Sequence, residues 1–459
     1  MSRALVLFTG DLRLHDNPAL AVAIRGHDQI VPAFVLDEQL LKGGCGAPNR
    51  LSFLLESLRD LEASLCERGG ALAIRRGDVV EETLALAKRW KVSSILIGKG
   101  TSPYARERHE RLARACTTER IELRALPGPT VVPPGAITPT GGDHYRVFTS
   151  YWRVWSEQPL APLAPTPRTI QIPPGLRSSR IPSVSALTEK KPSPDLRPGG
   201  ETEARRQLAR WLRSGLADYE QRHDDLAADD TSHLSAHLHF GCLSARELLE
   251  RCEGRPGADA FVRQLCWRDF HHQVLAARPD SVHADYRPRG YRWHRGKRVV
   301  EAWKGGRTGY PIVDAGMRQL EQEGFMHNRA RLIVSSFLTK LLRVDWRTGA
   351  AHFASLLSDA DVANNVGNWQ WVAGTGNDTR PNRVLNPLRQ AERFDRDGEY
   401  VRRYVPELAS LNGASIHQPW RLPAAERRRL DYPERIVDHL AASDEFRQER
   451  ERQSSSWPA

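Results

Sequence analysis

ALVLF at residues 4–8 opens a series of five short apolar or β-branched runs, continued by QIVPAFVL at 29–36, ALAIRR at 71–76, VSSILIG at 92–98 and IELRAL at 121–126. Between them lie amphipathic stretches, Leu51 to Arg68, Val79 to Trp90 and Arg106 to Glu119. Short runs of this composition read as strands, and apolar residues recurring every three or four positions read as helices. Their alternation predicts a doubly wound, Rossmann-like parallel sheet, an α/β domain over residues 1–130. Pro18 after Asp16 and Asn17 suits a helix start, and Gly69 with Gly70 suits a helix end. The domain has neither GxGxxG nor GxxxxGK[ST], so the usual dinucleotide and P-loop fingerprints are missing. A ligand is expected at the carboxyl ends of its strands.

Working outward, ten prolines fall between Pro159 and Pro198, with Ser and Gly among them and little periodicity. Residues 131–200 therefore read as a long connector rather than a third domain. From Glu201 the pattern turns helical, with EARRQLARWLRSGLADY, GADAFVRQLCWRDFHHQVLAA, PIVDAGMRQLEQEG and NRARLIVSSFLTKLL as its clearest runs. Residues 201–459 are expected to form an all-α domain, and no internal repeat is evident.

The 459 residues carry 67 Lys and Arg against 56 Asp and Glu, a net charge of +11. A chain of this length buries enough apolar surface to fold without disulfides. A basic surplus is the footprint of a polyanion binder, although many basic proteins bind no nucleic acid. No apolar stretch is long enough to span a bilayer, and MSRALVLFTGDLRLHD reaches charge too early for a secretory leader, so a soluble, cytoplasmic protein is expected. Cys45, Cys66, Cys116, Cys242, Cys252 and Cys266 are scattered, with no CxxC pair and no metal or cluster spacing. They read as reduced thiols.

Nothing in the chain has the spacing of a hydrolytic site. His271 and His272 are adjacent and point about 100° apart on a helix, so they cannot share one metal. The helical half instead concentrates tryptophan, including Trp267, Trp293, Trp303, Trp346, Trp369 and Trp371. Gln264, Trp267 and His271 fall at i, i+3 and i+7, with Arg268 beside them, so one helix face presents an amide, an indole and a cation. This is either a buried amphipathic face or a stacking platform for an extruded base. DDTSHLSAHLHFGCLS at 229–244 places Thr231, Ser232 and Ser235 in a polar turn, either a helix cap or a phosphate cradle.

Together these segments resemble the DNA photolyase and cryptochrome family, specifically class I cyclobutane pyrimidine dimer photolyases of bacterial type. The likeness runs from FTGDLRLHDNPAL at Phe8 to RFDRDGEYVRRYVPEL ending at Leu408. TSHLSAHLHFG, QLCWRDF, GRTGYPIVDAGMRQL, GFMHNRARL and SDADVANNVGNWQWVAGTGND carry it most specifically. The resemblance implies an N-terminal α/β antenna domain, a C-terminal helical domain holding FAD, and repair of UV-damaged DNA by light-driven electron transfer in a monomer. It places Tyr219, Thr231, Ser232, Leu234 and Ser235 on the phosphate side of the flavin. Arg268, Asn328, Arg331, Asp359, Asp361 and Asn365 fall around the rest of it. Gln264, Trp267, Leu332 and His223 fall on the lesion or DNA. Trp369, Trp346 and Trp293 match an electron-transfer triad running from flavin to surface. Asn365 takes the place facing flavin N5, where an amide, unlike a carboxylic acid, cannot give up a proton.

The departures from the pattern concern the substrate side. Gln264 stands where a glutamate is usual, Leu332 where a methionine is usual, and His223 and His233 where arginines are usual. Gln264 is also the residue of (6-4) photolyases, but those need histidines where this chain has Asn328 and Leu332, so cyclobutane dimers are the expected lesion. A signalling cryptochrome is the other alternative; only about 50 residues follow Leu408, several of them (HQPWRL, LDYPERIVDH) still family-like. Phe34 and Arg50 fall where relatives hold an antenna pigment, methenyltetrahydrofolate or 8-hydroxy-5-deazaflavin, with the deazaflavin favoured by likeness to actinobacterial members.

Overall fold

The five apolar runs become five parallel strands in a computed structural model that describes residues 1–43, 46–294 and 296–455. They are β1 (Arg3–Phe8), β2 (Gln29–Asp37), β3 (Ala73–Gly77), β4 (Ser94–Gly98) and β5 (Glu122–Leu126), in sheet order β3-β2-β1-β4-β5. Register runs Leu5 to Val31 and Ile95, and Phe8 to Phe34. Because strand side chains alternate between faces, Ala4, Val6 and Phe8 pack with helices Pro18–Gly26 and Pro48–Cys66. Leu5 and Leu7 pack on the other face with helices Val79–Trp90 and Pro103–Glu119. The sheet is thus covered on both sides, as its near-continuous apolar strands require. Asn17 caps the first helix through its side chain, with Pro18 at the first helical position.

The connector at 131–200 contains more structure than its composition suggests. Helix Phe148–Trp155 forms inside it, and Trp155 Nε1 donates to Asp269 Oδ2 at 3.0 Å, an oxygen that also accepts from the Val132 amide at 2.9 Å. Beyond that helix the chain runs mostly extended, with one short 3-10 turn at Val184–Ala186, tied down by single bonds such as those the Ile170 amide donates to the Arg68 carbonyl at 2.8 Å and the Ser179 amide to the Leu72 carbonyl at 3.0 Å. Proline removes donors, so the strap is held where its remaining N–H groups meet fixed acceptors.

Residues from Glu201 onward form the helical half, in which Trp303, Trp346, Trp369, Tyr310 and Phe337 are fully buried. The helical pattern extends past the last run read from sequence, through Pro387–Phe394 and Glu399–Tyr404 to His439–Ser455. GRTGYPIVDAGMRQL is a structural joint: buried Asp314 accepts from the Thr308 amide (2.7 Å), the Thr308 hydroxyl (2.6 Å) and the Gly309 amide (3.1 Å), and Arg318 forks onto Glu407. Cys66 is exposed and Cys116, Cys242, Cys252 and Cys266 are buried, all as free thiols; Cys45 lies outside the described residues. Among the described residues no helix is long and apolar enough to cross a membrane.

The two halves join through the loop after β1. Asp16 accepts from the Ser244 hydroxyl at 2.5 Å and from the Ala164 amide at 2.8 Å, so one carboxylate touches the helical half and the strap. Arg13 donates to the Gly241 carbonyl at 3.0 Å, and Gly241, at φ +67, lies so close to Gly10 that a Cβ would sit 2.0 Å from its oxygen. Buried Glu201 accepts from the Leu14 amide (2.7 Å), the His15 amide (3.0 Å) and the His15 ring (2.7 Å). Glu201→Ala strands these donors and is expected to cost about 2–4 kcal/mol, with Glu201→Gln intermediate. Urea unfolding of the three proteins measures this as a falling midpoint at constant slope.

Candidate functional site

Four helices and one loop bring the motif residues together. Helix Ser235–Phe240 follows the polar turn, Ala258–Ala277 carries QLCWRDF, Asn328–Ser336 carries the NRAR run, and Val362–Ala373 follows Ser358 to Asp361. Arg331 donates to Asp359 Oδ2 at 2.9 Å and to the Met326 carbonyl at 2.7 Å. Asp361 caps its helix by accepting from the Asn364 amide at 2.8 Å and stands 3.6 Å from His272 Nε2. The other ring nitrogen of His272 meets the Thr101 hydroxyl at 2.6 Å, which ties the site to the α/β half.

Burial sets the charges here. It pushes the Asp361 carboxyl up, His272, Arg268 and His239 pull it down, and the balance lies well below the ordinary carboxylate range. Burial also pushes His271 and His272 down to about 4, so both imidazoles are neutral near pH 7. The permanent cation near Asp361 is therefore Arg268. Its guanidinium is turned inward, donating to the Pro129 carbonyl at 2.8 Å and the Leu238 carbonyl at 3.4 Å. This corrects the helix face expected from sequence: Gln264 is exposed and Trp267 half-buried, but neither His271 nor Arg268 presents a cation beside them. Trp267 lies flat on Phe148, ring centroids 3.7 Å apart at 2°. Phe148 was not legible as a site residue; the aromatic run FTSYWRVW inside the connector was its only signal.

In the polar turn, His233 adopts φ +51 and its ring reaches Asp229 at 2.9 Å. Ser232 accepts through its carbonyl from Gln207, Leu234 is buried, and Ser235 is exposed. Tyr219 is buried edge-on against Trp211 and Phe261. His223 bonds back to the Tyr219 carbonyl at 2.9 Å, beside Asp224, which is itself held by Arg329. Asn328 is exposed, Leu332 half-buried, and Asn365 donates its amide to the Ala350 carbonyl at 3.0 Å. Several buried polar atoms of this set, among them Thr231 Oγ1, Asp359 Oδ1 and Trp369 Nε1, have no hydrogen-bond partner among the described residues. Unpaired buried groups of this kind are what a large polar ligand would satisfy, so the residues fit a flavin dinucleotide.

Of the three motif tryptophans two are buried and one is half-buried. Trp369 and Trp346 are both 2% exposed or less. Trp369 rests on Gly349, where a Cβ would meet its ring at 2.1 Å, and Gly349 lies one turn along the helix that begins at Trp346. Trp346 Nε1 donates to Asp285 at 2.8 Å. Trp293 is half-buried and lines a cavity of about 540 Å³ with Val344, Asp345 and Thr348, which flank Trp346. Trp303, fully buried, meets Trp369 edge-on at 6.1 Å. Phe34 is buried at its pairing with Phe8, and Arg50 is buried with its guanidinium on the Leu357 carbonyl at 2.9 Å. The structure brings neither to an open face.

A parallel α/β sheet strapped to a helical half with this set of polar and indole groups is the architecture of the DNA photolyase and cryptochrome family, and the chain belongs to it. The pattern for "DNA photolyase" matches residues 4–169, and that for "FAD binding domain of DNA photolyase" matches residues 261–452. A deoxyribodipyrimidine photo-lyase of Streptomyces griseus is 51% identical over 454 residues, covering 98% of this chain and 99% of the relative. A bacterial class III photolyase from Agrobacterium tumefaciens superimposes with a TM-score of 0.92 at 32% identity, covering 99% and 98% of the two chains. An archaeal photolyase from Sulfolobus tokodaii, solved with two FAD molecules, gives 0.86 at 31% identity, covering 98% and 100%.

Removing Arg331 tests the electrostatics of the site. Arg331→Met leaves Asp359 buried without its partner and is expected to cost about 3 kcal/mol at neutral pH. With the guanidinium gone, burial raises the Asp359 carboxyl above its unfolded value, so the deficit is full near pH 7 and shrinks as pH falls toward about 4. Urea unfolding of both proteins across that range measures the trend.

Proposed function

We propose that this protein is a deoxyribodipyrimidine photo-lyase, a lyase that repairs cyclobutane pyrimidine dimers in UV-damaged DNA under light. The observation that carries the reading is the 51% identity, over nearly the whole of both chains, to a relative bearing that activity's name. FAD held by the helical half supplies, when reduced and excited by light, the electron that splits the cyclobutane ring.

The protein's own groups bind, orient and exclude water. Trp267, backed by Phe148, offers a rigid aromatic face on which a flipped base stacks, with Gln264 exposed beside it to donate and accept hydrogen bonds. Leu332 supplies apolar contact in place of a longer side chain. His223 and surface arginines meet phosphates, a role the net charge of +11 supports without any sequence readout. Tyr219, Thr231, Ser232, Leu234 and Ser235 hold the phosphate side of the cofactor; Arg268, Asn328, Arg331, Asp359 and Asp361 hold the remainder. Asn365 commits one amide hydrogen to a backbone carbonyl and has no acidic proton, which keeps a proton source away from the flavin ring. Asn328 and Leu332 likewise supply no proton to a lesion, and this favours cyclobutane dimers over (6-4) products. Trp369, Trp346 and Trp293 serve to restore the reduced cofactor from outside.

The division of labour proposed is an antenna domain over residues 1–130, a connector over 131–200 and the FAD and lesion domain over 201–459, acting as a cytoplasmic monomer. The antenna reading is 8-hydroxy-5-deazaflavin, with methenyltetrahydrofolate as the alternative; Phe34 and Arg50 mark the region rather than an open pocket.

Purified, reduced holoenzyme mixed with one oligonucleotide carrying a cyclobutane thymine dimer and another carrying a (6-4) product, dark or under blue light, is expected to restore thymines only in the first and only in light. Failure on both lesions would overturn the reading in favour of a photoreceptor, and repair of the second alone would point to the (6-4) class. Trp369→Phe is expected to slow photoreduction of oxidised holoenzyme roughly tenfold or more, while leaving repair by chemically pre-reduced enzyme intact. Flavin absorbance under illumination and chromatography of repaired DNA measure the two effects.

A further inference from the structure

Arg268 is turned inward, and a different arginine stands as the cation beside Gln264 and Trp267. Arg263 comes one position before Gln264 and about one turn before Trp267 on helix Ala258–Ala277, so the three share a face. Arg263 and Gln264 are both exposed. Opposite them the connector helix Phe148–Trp155 presents Phe148 and Trp152, again a turn apart. Phe148 lies flat on Trp267 at 3.7 Å, and the Arg263 guanidinium carbon lies 5.3 Å from the Phe148 ring centroid and 5.7 Å from that of Trp152. Trp152 is stacked in turn on Trp155, at 5.6 Å and 22°, and Trp155 is fixed by its bond to buried Asp269. The guanidinium thus rests against rings that are themselves held.

Its hydrogen-bonding edge is unused. Arg331 is committed to Asp359, Arg329 to Asp224 and Arg222 to Asp230. Among the described residues no side chain or carbonyl accepts from Arg263, and Asp259, a turn before it on the same helix, makes no ion pair with it. A guanidinium packed against aromatic rings is limited in its rotamers while its N–H fork stays free, so little freedom is lost when an anion arrives. A planar fork of this kind matches the paired oxygens of a phosphate.

We infer that Arg263 is the phosphate-binding cation of the lesion face, its guanidinium taking the backbone phosphate that flanks the base extruded onto Trp267. The inference rests on the reading of Trp267 as the stacking platform for a flipped base. A base drawn out of a duplex carries its sugar and flanking phosphates with it. Residues four apart on a helix stand about 5–6 Å apart at Cβ, so a cation one turn from the indole is within reach of that phosphate. Phosphates are alike at every base, and the contact grips and orients the strand without reading it, while Trp267 and Gln264 meet the base itself. Packing of Arg263 on the two rings for stability alone would leave the salt dependence of DNA binding untouched, and this separates the two roles by measurement.

Holoenzyme kept in the dark is titrated with two duplexes of one sequence, one intact and one carrying a cyclobutane thymine dimer, between about 50 and about 200 mM salt, as wild type, Arg263→Gln and Arg263→Lys. Wild type is expected to bind the dimer-bearing duplex more tightly than the intact one. In Arg263→Gln the slope of log affinity against log salt is expected to become shallower by about 0.9, the share of one phosphate, with affinity for the dimer-bearing duplex roughly eightfold lower at about 0.1 M salt. Arg263→Lys keeps the charge but not the planar fork, and is expected to keep the wild-type slope with an affinity between the other two. A second dimer-bearing duplex with different flanking bases is expected to show the same loss in Arg263→Gln. A wild-type slope in Arg263→Gln, or a slope that falls as far in Arg263→Lys, overturns the inference alone. A loss that varies with the flanking bases assigns the guanidinium to base edges and overturns it too. Equal affinity of wild type for the two duplexes overturns the photo-lyase reading and the inference with it.

Discussion

The docking of the loop after β1 into the helical half is the constraint on which the rest of the molecule depends. Arg13, Asp16 and Glu201 are all buried there, and each polar atom they bring inside is matched by a backbone or side-chain partner. Buried charges are tolerated only when paired in this way, and removing one partner exposes the full desolvation cost of the other. The joint also places the chemistry. Gly241, pressed against Gly10, terminates the helix that starts at Ser235, so its seating sets the position of the polar turn before it.

At the site, burial sets the charges. Imidazoles at His271 and His272 are held neutral, Arg268 is turned onto carbonyls, and Asp361 is kept ionised. The two imidazoles therefore exchange no proton near pH 7, which suits a reaction driven by electron movement. The aromatic groups are packed rather than free, with Trp267 flat on Phe148, Trp369 against Gly349, and Trp293 beside Val344, Asp345 and Thr348.

Much of this was legible in the chain because local rules governed it. The strands at 4–8, 29–36 and 92–98 are buried on both faces and read as continuous apolar runs, and the helix at 79–90 has a capping Asp78 and a single apolar face. Matched motifs led to Asp359, Asp361 and Arg331, which the fold brings to one place although 28 residues separate Arg331 from Asp359. Phe148 was not legible, because nothing within the connector shows which distant helix will cover it. The inward turn of Arg268 was equally hidden, since its acceptors, the Pro129 and Leu238 carbonyls, come from other parts of the chain.

By itself the sequence determined the α/β start, the helical remainder, the family and the residue types at the site, because periodicity, capping and motif spacing are properties of neighbouring residues. Only the tertiary structure decided which of those residues are charged, which are covered and which touch. Those outcomes follow from desolvation and from contacts between segments far apart in the chain, and Phe148 on Trp267 is the clearest instance.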